Sequence, residues 1–416
     1  MQSHLSGFYK KSLEERYQCL QELGWTQESL PQLPIERAEA MVENVLGVFG
    51  MSLGLATNFT INGHAYVIPM VVEEPSVVAA ASNAAKILGN IYSHTPEKLM
   101  IGQVILSQVK DASALIQYVE THQDELVQKA NKYAPSMVKR GGGARHFDTK
   151  VLEDADETFM SVYLAFDPCD AMGANTINTV LEGIAPQLAA IAQGQVLMAI
   201  LSNYQEVALT EAQVQVPILS LHDNPQTAKQ IAEDIARASR YAQLDPYRAT
   251  THNKGVMNGM DAVILATGND WRAVESGVHA YVGRQGHYGA MTRWWVEEET
   301  LCGSLSLPIQ VATVGGSIGT HPACQWVLEI LQNPSAKELA QIIGAVGLAQ
   351  NFAALKALVS DGIQKGHMRM HYRNLATQVG AKPEEVTEMV RILQTLPSVN
   401  STIAEATLQQ LRHSAE

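Results

Sequence analysis

Four short segments of this chain carry side chains that can move protons or hold anions. In Val72-Glu73-Glu74-Pro75-Ser76 the Glu74 carboxyl stands at the mouth of an Ala-rich segment expected to be helical from about Pro75 to Leu88. A carboxylate complements a helix N-terminus. The same group can serve as a general acid if it keeps its proton. Apolar flanks at Val71, Val72, Val77 and Val78 favour that by burial, and a nearby acid such as Asp270 would reinforce it. Lys254 lies in Thr251-His252-Asn253-Lys254-Gly255, and the neighbouring Gly255 and Gly259 point to tight backbone packing. An enclosed ammonium needs a carboxylate partner. Asp270, at the end of the apolar run 262–266, read as a strand, is the expected one. A lysine held by acids can stabilise a developing oxyanion. His367 sits in a basic segment with Lys365, Arg369 and Arg373, where an imidazole can protonate a leaving thiolate. His321 and His371 are weaker candidates of the same kind.

The fourth segment, Asp170-Ala171-Met172-Gly173-Ala174-Asn175, follows an apolar strand and opens a helix. Free backbone N–H groups at such a place face an anion, and small residues let a pyrophosphate approach. It is not a GxGxxG, so an ordinary Rossmann unit is not expected. A proton donor, a cation among acids and a phosphate cradle together suggest a reductase.

Two or three domains are expected to position these groups, because 416 residues exceed what one core usually serves. Asn62-Gly63 reads as a tight turn between two strands. From about residue 99 the order becomes strand (100–106), helix (112–132), a Gly141-Gly142-Gly143 turn, two strands (144–152 and 158–166), helix (176–191) and strand (195–202). That βαββαβ order is the ferredoxin-like split pattern. The fold class is therefore α/β (α+β): a large mixed helix-sheet domain (1–98 and 211–366), a small inserted domain (99–210), and a small helical C-terminal unit (367–416) with a helix near Pro383. A long helix is expected over about 336–360.

A net charge of −13 argues against nucleic-acid binding, which needs a basic footprint. Charged residues are only 17%, which favours a compact, oligomeric protein. Four scattered cysteines form no metal-ligand grouping and suit a reduced cytoplasmic setting, so no metal is expected. The N-terminus has no signal-peptide pattern, and no apolar run of about twenty residues is expected to span a membrane.

Six ordered segments resemble the 3-hydroxy-3-methylglutaryl-coenzyme A (HMG-CoA) reductase family, of its soluble bacterial class II type. They are Glu43-Asn44-Val45-Leu46-Gly47, Val72 to Ser76, Asp170 to Asn175, His252 to Gly255, Gly268-Asn269-Asp270-Trp271-Arg272 and Gly366-His367-Met368. The resemblance runs from about Met41 to Val379. It implies reduction of HMG-CoA to mevalonate and coenzyme A with two nicotinamide cofactors. Lys254 would then polarise the thioester, Glu74 would protonate the aldehyde-level oxygen, Asp270 would tune both, and His367 would protonate the coenzyme A thiolate. Arg248 would bind the substrate's free carboxylate, with Ser76, Asn258 and Gln350 as further contacts. Asp170, Met172, Gly173 and Asn175 would hold the cofactor, and Lys10 and Lys11 the coenzyme A phosphates. The resemblance further implies a mobile flap carrying His367 and a homodimer with its active site between subunits.

NAD-preferring members carry an acid shortly before the glycine triplet. Residues 131–140 have none here and instead contain Lys132, Lys139 and Arg140, which suit a 2′-phosphate. NADPH is thus the expected cofactor. NADH in a mevalonate-degrading enzyme and an inactive coenzyme A-binding scaffold are the alternatives.

Overall fold

The computed structural model describes residues 7–26, 29–360, 372–396 and 398–413. Its strands in chain order are β1 (Leu53–Ile61), β2 (His64–Val71), β3 (Asn90–His94), β4 (Met100–Ser107), β5 (Gly143–Glu153), β6 (Thr158–Asp167), β7 (Gln195–Leu201), β8 (Leu209–Pro217), β9 (Thr292–Glu297) and β10 (Thr300–Pro308). They form a six-stranded sheet ordered β2-β1-β3-β8-β10-β9 and a four-stranded sheet ordered β5-β6-β4-β7. In the smaller sheet every neighbouring pair is antiparallel. With helices between β4 and β5 and between β6 and β7, this is the ferredoxin-like split arrangement. In the larger sheet the β1–β3 pairing is parallel and the others antiparallel.

Asn62 and Gly63 turn β1 into β2 with φ of 52° and 82°, the left-handed pair that a two-residue hairpin needs. The Asn62 side chain also brackets Ser93 of β3, donating to its carbonyl at 2.8 Å and accepting from its N–H at 2.9 Å. One turn residue thereby fixes the register of three strands.

Each sheet has its own apolar core. The larger core includes Phe59, Ile68, Leu305 and Phe352, and the smaller Val104, Phe147, Leu164 and Leu181. A third cluster around Tyr372, Met389, Leu393 and Leu408 joins the C-terminal helices, which include Pro383–Leu393 and Ser401–His413.

Two helices run through the larger core. Pro246–Ala266 starts at an Asp245 cap with proline in its first turn. Ala336–Val359 starts at a Ser335–Glu338 capping box. They pack closely because glycines face the contact: a Cβ at Gly259 would lie 2.8 Å from Gln350, and one at Gly347 2.8 Å from Met260. Ala336–Val359 is also long and apolar enough by composition to cross a membrane, although Gln341, Gln350 and Asn351 interrupt its apolar run. Its composition has a different cause, since Leu339, Ile343, Val346 and Phe352 are fully enclosed by the core.

Three local readings also change. Residues 262–266 are not a strand but the end of the Pro246–Ala266 helix. A short apolar run enclosed on every side has no periodicity to tell the two apart. The expected helix over 112–132 breaks at His122 into Ala112–Thr121 and Gln123–Asn131. The helix after Glu74 begins at Val77, so Pro75 lies before it, and Ser76 adopts the left-handed conformation with φ of 75°.

Candidate active site

Glu74 lies in the turn that carries the chain from β2 into the Val77–Leu88 helix. Lys254 lies two turns into Pro246–Ala266. His252 and Asn253, just before it, are fully buried. Anchoring them brings Lys254 out on the adjacent side of the helix. Its Nζ donates to Glu74 Oε2 at 2.5 Å, and Asn258, one turn on, donates to the same oxygen at 3.3 Å. The Lys254 side chain is 58% exposed and that of Glu74 34%. A pair this open to water adds only about 0–1 kcal/mol to stability, too little to be a structural staple.

Lys254 was expected to be enclosed and paired with Asp270; its observed partner is Glu74. The close-contact glycine is Gly259, which faces the Ala336–Val359 helix on another side. Asp270 caps the Trp271–Val282 helix, accepting from Arg272 N at 3.0 Å and Ala273 N at 3.2 Å. It also pairs with the Arg272 guanidinium at 3.1 Å.

Glu74 and Ser76 open on a cleft of about 1040 Å³, whose wall includes Phe8, Tyr9, Asn83, Lys86 and Asn374. The Ser76 hydroxyl caps no helix N–H. Lys10 Nζ lies over the Tyr9 ring, 5.7 Å from its centroid, and Lys11 closes the short Phe8–Lys10 turn. Gln350 is buried behind Gly259, with no hydrogen bond to its Oε1. Arg248 does not line this cleft. It opens on a separate cavity of about 560 Å³ beside Arg240, Tyr241 and Leu358. His367 and His371 lie outside the described residues. His321 caps the Pro322–Ile330 helix through Nδ1.

Sequence reasoning singled out Lys254 and passed over its anchors. His252 Nε2 lies 2.7 Å from Thr292 Oγ1, which donates to Asn351 Oδ1 at 2.8 Å, and Trp294 Nε1 donates to the same oxygen. Burial and the Arg248 charge push the His252 imidazole down to about 4, so it is neutral. Asn253 accepts from Met291 N and donates to Gly289 O and Tyr288 Oη. Polar residues at helix positions facing the core were the available signal.

On the smaller sheet, Gly173 begins the Ala174–Ile191 helix with φ of 77° and no side-chain cap. A Cβ there would lie 2.6 Å from Pro168, so only glycine fits. The first turn has no acid, its first N–H groups have no helical acceptor, and Asn175 within it is exposed. Met172 packs against Ala312, Ile318 and Leu328. Asp170 also has a structural tie. Its carboxylate accepts from Ala336 N at 2.8 Å and its carbonyl from Thr313 N at 2.9 Å. It therefore ties the turn to the start of the core helix. Lys98, 5% exposed, holds the same turn by donating to the Cys169 and Ala171 carbonyls at 3.1 and 3.0 Å. Burial brings its ammonium down to about 8 against the pull of Asp170 and Asp167.

The glycine triplet packs beside that turn, where a Cβ on Gly142 would lie 2.5 Å from Asp167 O. Lys139 ends the Pro135–Lys139 helix, and the Arg140 guanidinium lies 3.8 Å from Met137 Sδ. Arg145 is committed to Asp167 at 2.8 Å. Among the described residues no three His, Cys, Asp or Glu side chains group as metal ligands.

The family model for hydroxymethylglutaryl-coenzyme A reductase matches residues 12–372. The 3-hydroxy-3-methylglutaryl-coenzyme A reductase of Archaeoglobus fulgidus is 39% identical, over 99% of this chain and 95% of the relative. The solved structure of the Streptococcus pneumoniae reductase superposes with a TM-score of 0.84 at 43% identity, covering 98% of this chain and 99% of that one. A second Streptococcus pneumoniae structure, a class II enzyme bound to NADPH in open conformations, gives a TM-score of 0.83 at 44% identity and covers 86% of this chain and 100% of that one.

Proposed function

The chain belongs to the hydroxymethylglutaryl-coenzyme A reductase family, and on that premise we propose that it reduces HMG-CoA to mevalonate and coenzyme A at the expense of two NADPH. The observation that carries this reading is the Lys254–Glu74 pair at the edge of a cleft large enough for an acyl-coenzyme A.

Lys254 offers an ammonium already held by a carboxylate and half open to solvent, so a substrate oxygen can replace water beside it. As charge develops on that oxygen, the ammonium stabilises it more than it stabilises the neutral carbonyl. Glu74, bonded to the same ammonium and to Asn258, is within reach to deliver a proton to the reduced oxygen. Asp270 tunes this pair, Arg248 takes the substrate carboxylate, and Ser76 and Gln350 orient the acyl group. His367 protonates the departing thiolate; Asn374, shortly after it in sequence, lines the cleft.

The residues around Gly173 fit a pyrophosphate, since the helix N-terminus has no side-chain cap and no acid in its first turn. Bound there, the reduced nicotinamide supplies the hydride. Lys139 and Arg140, on the adjoining turn, favour the 2′-phosphate of NADPH. On this reading residues 99–210 form the cofactor-binding domain and the C-terminal residues the flap.

A homodimer completes the site. Two observations support it: Arg248 lines a cavity separate from the Glu74 cleft, and Leu46 within the Glu43–Gly47 motif and Phe49 just after it stand 104% and 92% exposed. Four unpaired thiols suit the cytoplasm. Nicotinamide absorbance, followed with HMG-CoA and each reduced cofactor in parallel, tests the proposal. HMG-CoA-dependent oxidation with the higher kcat/KM for NADPH is expected; no turnover with either cofactor defeats it.

A further inference from the structure

Seven residues after Lys254, about two turns along the same side of its helix, stands another carboxyl, Asp261. Its carboxyl neighbours that of Glu275 on the Trp271–Val282 helix, the helix that Asp270 caps. Glu275 Oε2 lies 2.6 Å from His279 Nε2. His279 Nδ1 lies 2.7 Å from Tyr288 Oη, and Asn253 Nδ2 donates to that oxygen at 3.0 Å. The connected side chains thus leave the Lys254 helix at Asn253 and return to it at Asp261.

One proton assignment satisfies this path with a neutral imidazole. Asn253 donates to Tyr288, the Tyr288 hydroxyl to His279 Nδ1, and His279 Nε2–H to Glu275. Glu275 then accepts from Asp261 as well, which requires Asp261 to carry a proton. Asp261 Oδ1 is buried with no hydrogen-bond partner, so that oxygen would be unmatched in an ionised Asp261. Burial, and then the neighbouring Glu275, hold the Asp261 carboxyl up to about 8, while His279 holds Glu275 down. The titratable groups on this path are Glu275 and His279 from the next helix and Tyr288 from the loop beyond it. On Asp261's own helix, Lys254 is turned to Glu74.

We propose that Asp261, Glu275, His279 and Tyr288 form a clamp that sets the Asp270 helix against the Lys254 helix, closed by one proton shared between the two carboxyl groups. Asp261 is then a positioning residue. It touches no substrate, yet it fixes how the ammonium of Lys254 and the carboxylate of Asp270 are presented. Loss of the shared proton sets two carboxylates against each other and loosens the clamp. The inference rests on the reductase reading, under which those two groups act together.

The test measures kcat and KM for HMG-CoA reduction by the full chain from about pH 6 to about pH 10, in the wild type and in Asp261→Asn, Asp261→Leu and Tyr288→Phe. Asparagine keeps a neutral donor towards Glu275 and cannot ionise. Wild-type kcat should fall as the pH rises through about 8. Asp261→Asn should match the wild type near neutrality and lack that fall. Asp261→Leu should lose roughly tenfold to a hundredfold in kcat with little change in KM. Tyr288→Phe should lose about threefold to tenfold. The clamp is refuted if Asp261→Asn keeps the alkaline fall, or if both Asp261→Leu and Tyr288→Phe turn over like the wild type. Should Asp261→Leu fail to fold, the asparagine profile and Tyr288→Phe decide alone. An inactive wild type defeats the reductase reading instead, whereas an active wild type with unaltered variants defeats only the clamp.

Discussion

At Lys254 the Pro246–Ala266 helix sets opposite charges together with the lysine largely in solvent; at Asp261 it sets like groups together where both residues are half-buried. The first pair stays ionised and open, with both side chains at least a third exposed. In the second, burial and a neighbouring acid retain a proton on Asp261. Water screens the exposed pair, so its partners can be exchanged for a reacting oxygen at low cost. The half-buried pair has less such freedom, because removing its proton leaves the buried Asp261 Oδ1 without a donor. Along one helix, exposure thus separates groups fitted to chemistry from groups fitted to geometry.

The largest expected effect comes from removing the exposed cation. Lys254→Ala should lower kcat by at least about 10³-fold, while denaturant melts shift by no more than about 1 kcal/mol. A large stability loss would break the contrast. Next come the buried groups, whose pH responses oppose each other. His252 is held down to about 4 from 6.5, so below pH 6.5 the unfolded chain takes up a proton that the native state refuses. Its stabilising contribution is full above pH 6.5 and is lost towards pH 4, by about 3 kcal/mol in all. Thermal melts of His252→Gln should lack that loss. Asp261 is raised, so its contribution is full below its unfolded value and declines as the pH rises through about 8. Parallel slopes for the two groups would contradict these environments. The smallest effect should come from the exposed cofactor-side cations. In Lys139→Ala/Arg140→Ala, KM for NADPH should rise roughly tenfold with little change for NADH, and with unaltered melting. Equal losses with both cofactors would remove the 2′-phosphate role.

The helix end at 262–266 shows where sequence reasoning stopped. An isolated apolar run carries no period, and its reading as a strand made Asp270 a strand-end partner for Lys254. Once the run is helical, Asp270 becomes a helix cap, and the ammonium finds Glu74 instead. Asp170 shows the same limit. It sits in the motif around Gly173, yet its carboxylate accepts from Ala336 N, far along the chain. The residues of the proposed clamp drew no notice, since each alone resembles an ordinary polar residue on a helix or loop.

Local chemistry was settled by the sequence itself. Asn62-Gly63 had to turn, Gly173 had to leave a helix N-terminus open, and the βαββαβ order of the smaller sheet followed from strand and helix lengths. These depend on neighbours within a few residues, whose sterics act in any context. Tertiary structure alone decided which carboxylate meets Lys254, 180 residues away, that Lys98 lies buried beneath the turn before Gly173, and that Asp261 and Glu275 are neighbours. Such pairings depend on how packed helices bring distant side chains together and how much water they exclude, and burial fixes which of those groups keep a charge.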